Sequence, residues 1–161
     1  MPFRDRADAG RRPAVELSDD AGRVRMAAEY AQRLGAPVVV LLKRRESGTE
    51  TRVTHVVGDV RGRPCLIVDD MISTGGTIVE SVKALVAAGA RPGVTVAATH
   101  GLLLDGAPDK LERAGVREVF VTDTVKTAGE GRAQLHVISV APLVAAALRR
   151  LLSNESLGDL C

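Results

Sequence analysis

A short segment near the middle of the chain, Cys65–Thr77 (CLIVDDMISTGGT), constrains the fold more than any other part of the sequence. An apolar run, Cys65–Val68, ends in two adjacent carboxylates, Asp69 and Asp70, and a turn rich in glycine and hydroxyl groups follows. A helical pattern begins near Thr77. A buried strand, a turn and a helix N-terminus bring several backbone N–H groups together, which is typical of a phosphate site.

The two adjacent acids, Asp69 and Asp70, cannot be present for the phosphate, because like charges repel. Carboxylate oxygens instead accept hydrogen bonds from neighbouring sugar hydroxyls, or they hold a hydrated metal ion. The turn that follows offers the backbone freedom of Gly75 and Gly76, together with hydroxyl donors. One loop with both capacities predicts a sugar phosphate as ligand, most simply ribose 5-phosphate.

The same segment has a simpler interpretation as an ordinary turn between a strand and a helix. In that interpretation Thr77 caps the helix, and Glu80, three residues further on, closes a capping box. We expect the box to form, but it gives no reason for two acids at the end of a strand. Two better-known phosphate loops are excluded, because the chain has no Gly-Lys followed by Ser or Thr and no GxGxxG after a strand.

Length and composition restrict the class of protein. The chain has 161 residues, enough for one domain, and 45% of them are hydrophobic but only 2% aromatic, so the core must be aliphatic. Few aromatics argue against binding of single-stranded nucleic acid, and the net charge of +2 is too small to indicate a nucleic-acid or membrane partner. Two cysteines, Cys65 and Cys161, form no disulfide framework. We expect a cytoplasmic protein without a membrane span.

Short apolar runs alternate with helical patterns along the chain, which predicts an α/β domain with a parallel sheet and helices on both faces, three layers in all. The polar stretch Arg45–Arg52 is predicted to be a loop. Strands are predicted at Val38–Leu42, Val53–Val57, Leu66–Asp69, Val94–Thr99, Val119–Thr122 and Leu135–Val140. Helices are predicted at Val24–Leu34, Ile78–Ala88, Pro108–Ala114 and from Pro142 through Leu152.

The domain is expected to cover residues 15–152, after a disordered leader at 1–14 and before a frayed tail at 153–161. Ligands of parallel sheets bind outside the carboxyl ends of the strands. His100 and Thr122–Thr124 end strands on that side and are weaker candidates for the same site. For Thr122–Thr124 the alternative is a turn-capping role. His55 and His136 lie within predicted strands, and we expect them to be structural.

The segment VDDMISTGGT resembles the phosphoribosyl pyrophosphate motif of phosphoribosyltransferases and ribose-phosphate diphosphokinases. Further segments follow the order of the C-terminal half of the diphosphokinases, and the similarity covers roughly Val15–Leu152. These segments are SDDAGRVRMAAEYAQRLG (Ser18–Gly35), LLKRRE (Leu41–Glu46), VVGDVRGRPCLIVDD (Val56–Asp70), ATH (Ala98–His100), VTDT (Val121–Thr124) and SVAPL (Ser139–Leu143). The resemblance implies a type I phosphoribosyltransferase-like fold.

The resemblance also implies roles for individual residues. Asp69 and Asp70 would hold the ribose hydroxyls, and Asp20 would lie near a Mg²⁺ ion. Lys43 and Arg45 would be catalytic, stabilising the transferring diphosphoryl group from a flexible loop. The 5-phosphate would be bound by Ser73, Thr74, Gly75, Gly76 and Thr77. Most family members have Asp in place of Ser73, but the backbone donors of the turn are retained.

The activity implied is transfer of diphosphate from ATP to ribose 5-phosphate, which forms phosphoribosyl pyrophosphate. Two alternatives remain: a non-catalytic module that binds phosphoribosyl pyrophosphate, and a phosphoribosyltransferase. Family members are about twice as long and carry a second, similar domain, so this chain resembles a catalytic half. We therefore expect a homo-oligomer or association with an N-terminal-type domain, and no nucleic-acid or membrane partner.

Overall fold

The computed structural model describes residues 14–18, 21–47, 50–129, 131–158 and 160, and within them the side chains from residue 28 onward except 43–52 and 54. These residues form seven strands and four helices. The strands are β1 (Ala14–Ser18), β2 (Val38–Ser47), β3 (Glu50–Val57), β4 (Cys65–Ile72), β5 (Val94–Gly101), β6 (Val116–Thr122) and β7 (Leu135–Ile138). The helices are α1 (Ala21–Leu34), α2 (Gly76–Ala87), α3 (Ala107–Arg113) and α4 (Ala141–Leu152).

All seven strands belong to one sheet in the order β3-β2-β1-β4-β5-β6-β7. Five neighbouring pairs are parallel, which confirms the predicted α/β architecture. The pair β2–β3 is antiparallel and lies at one edge of the sheet. The chain moves outward from β1 in one direction and from β4 in the other, so the strand order reverses between β1 and β4. Ligands of open α/β sheets bind at the carboxyl ends of the strands beside such a reversal.

The predicted loop Arg45–Arg52 is wrong, because β2 continues to Ser47 and β3 begins at Glu50. Backbone pairs Arg45↔Thr51 and Ser47↔Glu50 extend the hairpin, with register shifts after Leu42 and Arg45. A backbone ladder needs no apolar side chains, so hydrophobic periodicity gives no signal for this part of the hairpin.

Strand β1 was also missed by the sequence-based prediction. Its first residue, Ala14, falls within the predicted leader, of which residues 1–13 lie outside the described residues.

The core is aliphatic, as predicted, and lies on both faces of the sheet. The main cluster includes Ile67, Ile78 and Leu85, all at most 2% exposed, and it packs β4 against α2. A second cluster joins Val68 to Ala31 of α1. Since successive side chains of a strand point to opposite faces, Ile67 and Val68 place α2 and α1 on opposite sides of the sheet.

Helix α4 follows the edge strand β7 and has Pro142 in its first turn, as predicted. None of its side chains is buried, and its apolar residues Leu148, Leu151 and Leu152 are all more than half exposed. Beyond it, the N–H of Glu155 donates to the carbonyl of Arg150 at 2.9 Å. In the described part of the chain, no helix combines the length and the apolar character that a membrane span requires.

Candidate phosphate-binding site

The acid pair lies in the C-terminal half of β4, followed by two more strand residues, next to the reversal of strand order. Asp69 is 7% exposed, whereas Asp70 faces solvent. Oδ1 of Asp69 accepts a hydrogen bond from the backbone N–H of Asp70 at 2.8 Å. This bond orients one carboxylate oxygen within the strand end, so the two acids differ: Asp69 is held in place, while Asp70 projects from the surface.

The turn after the acids encloses a cavity of about 130 Å³. Ten consecutive residues, 69–78, line it, and they include all seven predicted sugar- and phosphate-binding residues: Asp69, Asp70, Ser73, Thr74, Gly75, Gly76 and Thr77. The structure therefore brings these residues together around one space. Their individual contacts with a ligand remain predictions.

The capping box predicted for Thr77 and Glu80 is wrong. Helix α2 begins at Gly76, its N-cap is Gly75, and no side chain caps this described helix end. Thr77 lies within the first turn, and Glu80 instead pairs with Nζ of Lys83 at 2.8 Å. The turn is closed by Gly75, whose φ of +75° favours glycine, so the helix starts before Thr77.

The start of α2 is suited to an anion. The first N–H groups of a helix have no partner within the helix, and the aligned peptide dipoles make this end positive. Helix α2 has no acidic residue in its first turn. Because Thr74 to Thr77 line the cavity, the uncapped end of α2 opens onto the same space as the acid pair.

A second cavity, of about 100 Å³, lies beside the first and shares Asp69 with it. It is bounded by Tyr30 of α1, Phe120 of β6 and Thr122. Two of the three aromatic residues of the chain therefore lie at this cavity. Sequence reasoning missed them, although the scarcity of aromatic residues was the signal that could have drawn attention to their positions.

The residues at the ends of β5 and β6 form a hydrogen-bonded cluster. Nδ1 of His100 lies 2.8 Å from Oγ1 of Thr124, and Oγ1 of Thr122 donates to the carbonyl of Thr99 at 2.6 Å. Asp123 has a different role from its neighbours. Hydrogen bonds from the Ser139 hydroxyl and from the N–H of Val140, at 2.8 Å, hold the pKa of its carboxyl below the ordinary value.

Asp123 therefore connects the end of β6 to the start of α4, which favours the turn-capping role for this residue.

The other two histidines, His55 and His136, line neither of the two cavities. His136 stacks on Phe120 with ring centroids 4.7 Å apart, and its Nε2 is 3.7 Å from Glu118. His55 is exposed on β3.

Of the remaining predicted residues, two are described by their backbone alone and one is not described. The backbones of Lys43 and Arg45 belong to β2, opposite Val53 and Thr51, so they lie in a hairpin strand and not in the loop predicted from the sequence. Asp20 lies outside the described residues. Within the described part of the chain, no group of three His, Cys, Asp or Glu side chains could hold a metal ion.

The sheet order, the reversal between β1 and β4, and the glycine turn after an acid pair together define a phosphoribosyltransferase type I fold. Comparison with solved structures agrees. The orotate phosphoribosyltransferase of Aeropyrum pernix superposes with a TM-score of 0.53 at 25% identity, over 88% of this chain and 68% of that one. The phosphoribosylpyrophosphate synthetase of Mycobacterium smegmatis superposes with a TM-score of 0.73 at 43% identity, over 89% and 46%.

The model of the phosphoribosyl synthetase-associated domain matches residues 47–161, which is more than two thirds of the chain, so the chain belongs to this family. A relative from Streptomyces avermitilis, a ribose-phosphate pyrophosphokinase, is 44% identical over 157 residues. The match covers 96% of this chain but 48% of the relative. The resemblance predicted from the sequence is confirmed, and the chain spans about half the length of such relatives.

Proposed function

We propose that this chain is the catalytic half, corresponding to the C-terminal half of relatives, of a ribose-phosphate diphosphokinase. It transfers diphosphate from ATP to ribose 5-phosphate and forms phosphoribosyl pyrophosphate. The observation that carries the proposal is the single cavity shared by the acid pair and the uncapped start of α2. Its two ends suit the hydroxyls and the phosphate of one pentose phosphate, and relatives such as the Streptomyces avermitilis protein are ribose-phosphate pyrophosphokinases.

In this proposal the exposed Asp70 and the more buried Asp69 accept hydrogen bonds from the neighbouring ribose hydroxyls. The turn Ser73–Thr77 surrounds the 5-phosphate with backbone N–H groups, hydroxyls and the positive end of α2. The phosphate is thereby held by partial charges, without a lysine or arginine in the described turn. Binding at both ends of the sugar would fix the position of its C1 hydroxyl.

The chemical step is an in-line displacement. The C1 oxygen of the ribose forms a bond to the β-phosphorus of ATP, the bond from that phosphorus to the bridging oxygen of the α-phosphate breaks, and AMP leaves. The proton of the C1 hydroxyl passes to solvent. Lys43 and Arg45, on the β2–β3 hairpin, would stabilise the negative charge that spreads over the phosphoryl oxygens during transfer.

The donor set of the site is compatible with Mg²⁺, which prefers oxygen ligands and binds through one or two carboxylates plus substrate phosphates and water. Asp69 and Asp70 supply such oxygens at one strand end. Asp20 is the further predicted ligand. When bound, the ion would offset part of the phosphate charge, and substrate oxygens would complete its coordination.

The proposal extends to partners because the chain spans about half of its relatives. We propose that an N-terminal-type domain, or a second copy of this chain, completes the nucleotide site, and that the protein acts in the cytoplasm. The completed assembly would bind ATP as well as ribose 5-phosphate. The sugar-phosphate site, by contrast, lies within one stretch of this chain and should bind its ligand without a partner.

Calorimetry with ribose 5-phosphate tests the proposal on the chain itself. We expect binding to the wild type and at least about tenfold weaker binding to Asp70→Asn, because a charged hydrogen-bond acceptor is lost. The matched control is Asp59→Asn, which makes the same change in the connection between β3 and β4, outside the lining of the cavity, and should bind like the wild type. Absence of binding to the wild type would overturn the proposal.

Product analysis separates the activities. AMP formed from ATP, Mg²⁺ and ribose 5-phosphate supports the diphosphokinase, with or without an added N-terminal-type domain. Ligand binding without turnover, even when that domain is supplied, would instead support a regulatory module that binds phosphoribosyl pyrophosphate. Release of pyrophosphate from phosphoribosyl pyrophosphate and a nucleobase would support a phosphoribosyltransferase.

A further inference from the structure

We propose that His100 is a positioning residue: through the segment Gly101–Leu104 it sets the direction of two amide N–H groups in the phosphate-binding turn. The inference rests on the proposed function in that the ligand of this turn is a phosphate ester. It concerns a residue that lines neither cavity and acts through the backbone of its neighbours.

The segment after β5 is hydrogen-bonded to the phosphate-binding turn. The N–H of Leu103 donates to the carbonyl of Ile72 at 3.1 Å, and the N–H of Leu104 donates to the carbonyl of Ser73 at 2.9 Å. In a trans peptide the carbonyl and the following N–H point in opposite directions. The N–H groups of Ser73 and Thr74 therefore point away from Leu103 and Leu104. Ser73 and Thr74 both line the cavity.

The segment holds a conformation that its residues do not favour. Leu103 has φ +49°, in the left-handed region that side chains other than glycine rarely adopt, and Asp105, directly after the segment, has φ +51°. The side chain of Leu103 is 2% exposed within the main core cluster. Strained residues of this kind persist where the surrounding structure determines them, and they concentrate at functional sites.

At its start the segment packs tightly against the neighbouring strand. Gly101 is paired with Ile72 across the β4–β5 ladder. A Cβ atom at Gly101 would lie 2.6 Å from Cγ1 of Val121, so β5 and β6 approach closely at this point. A displacement of His100 would therefore pass into the segment that holds the turn, because little space remains to absorb it.

His100 is attached to β6 through a chain of hydroxyls. Oγ1 of Thr122 donates to the carbonyl of Thr99 at 2.6 Å, and it lies 2.8 Å from Oγ1 of Thr124. The Thr124 hydroxyl has two acceptors within hydrogen-bond distance besides His100, namely Oγ1 of Thr122 at 2.8 Å and the carbonyl of Thr99 at 3.2 Å. When its single hydrogen is donated to either of them, the Thr124 oxygen is left as the acceptor for the imidazole. In that arrangement His100 donates from Nδ1 to Thr124 at 2.8 Å.

Substitutions at His100 separate this role from simple packing. His100→Leu keeps the bulk and removes the donor, whereas His100→Asn keeps an N–H at the position of Nδ1 and removes Nε2. We expect His100→Leu and Thr124→Val to weaken ribose 5-phosphate binding about three- to tenfold, as for one lost hydrogen bond. His100→Asn should restore the affinity. Thr95→Val, at the amino end of β5, is the control for the threonine substitution.

Amide chemical shifts give a readout that does not depend on a ligand. In the ligand-free protein, His100→Leu and Thr124→Val should move the ¹⁵N–¹H signals of Ser73 and Thr74, and His100→Asn should leave them near the wild-type positions. Unchanged signals in His100→Leu would overturn the inference. So would an Asn variant as impaired as the Leu variant, because only packing would then matter.

The two proposals fail in different ways. A wild-type chain that binds no ribose 5-phosphate overturns the proposed function, and the amide shifts still decide whether His100 orients the turn. A wild type that binds, together with a His100→Leu variant of unchanged affinity and unchanged shifts, overturns the positioning role alone. Thermal unfolding of each variant shows whether loss of the fold accounts for a loss of binding.

Discussion

Gly75 lies directly against Leu111, so that the turn which precedes α2 rests on α3. A Cβ atom at position 75 would be 3.4 Å from Cδ2 of Leu111 and 3.5 Å from Cβ of Ala107. The residue also has φ +75°. The backbone conformation therefore favours glycine at this position, whereas α3 lies at an ordinary van der Waals distance and would accommodate a Cβ atom.

Substitution of this glycine should be costly. Gly75→Ala is expected to lower the free energy of unfolding by about 1–2 kcal/mol, because a left-handed conformation is unfavourable for alanine. Gly76→Ala is the matched comparison. Gly76 is helical, has no positive φ, and the nearest atom to an added Cβ is Thr74 Oγ1 at 3.9 Å, so this variant should be as stable as the wild type or more so. Urea unfolding measures both, and equal losses would contradict the explanation.

The close approach of β5 and β6 predicts a second glycine effect. Gly101→Ala would put a methyl group 2.6 Å from Cγ1 of Val121, and we expect a loss of about 1–3 kcal/mol in the free energy of unfolding from overpacking. Val121→Ala removes both γ-methyl groups, at 2.6 and 3.0 Å, but keeps the Cβ atom at 2.8 Å, so the double variant should relieve part of the overlap and lose less than the sum of the single losses. A double-mutant cycle by urea unfolding measures this coupling. Additive losses would show that the two side-chain positions do not compete for space.

The carboxyl of Asp123 predicts a dependence of stability on pH. Its pKa is lowered in the folded protein from an ordinary value of 3.8 by the bonds from Ser139 and Val140. The stability it contributes is therefore complete above pH 3.8, and it is lost as the pH falls through the lower folded pKa. The difference in unfolding free energy between the wild type and Asp123→Ala should accordingly shrink on acidification. A difference that stays constant down to the lowest pH at which both proteins fold would contradict this assignment.

Much of the fold and part of the site could be predicted because the signals are local. The apolar run of β4, the acids after it and the glycines of the turn stand next to one another, so their order alone predicts a strand, a site and a helix. The amphipathic pattern of α2 and the position of Pro142 are equally local. The structure accordingly places Asp69, Asp70 and Ser73–Thr77 around one cavity.

The sequence-based predictions were wrong where the local structure depends on residues that are distant in the chain. The extended hairpin of β2 and β3 depends on pairing between backbones, which the polar side chains of Arg45–Arg52 do not reveal. The capping box failed because Gly75, packed on α3, closes the turn before Thr77. In both cases a local preference was overridden by a partner elsewhere in the chain.

The sequence by itself determined the α/β class, the aliphatic core and the succession of strand, acid pair, glycine turn and helix, since each depends on residue types that are adjacent or periodic. Only the tertiary structure decided that His100 meets Thr124, 24 residues away, and that Leu103 and Leu104 hold the carbonyls of Ile72 and Ser73. The physical reason is that hydrogen-bond directions at the site depend on how β5 and β6 pack beside β4. That packing is a property of the assembled sheet and not of any one segment.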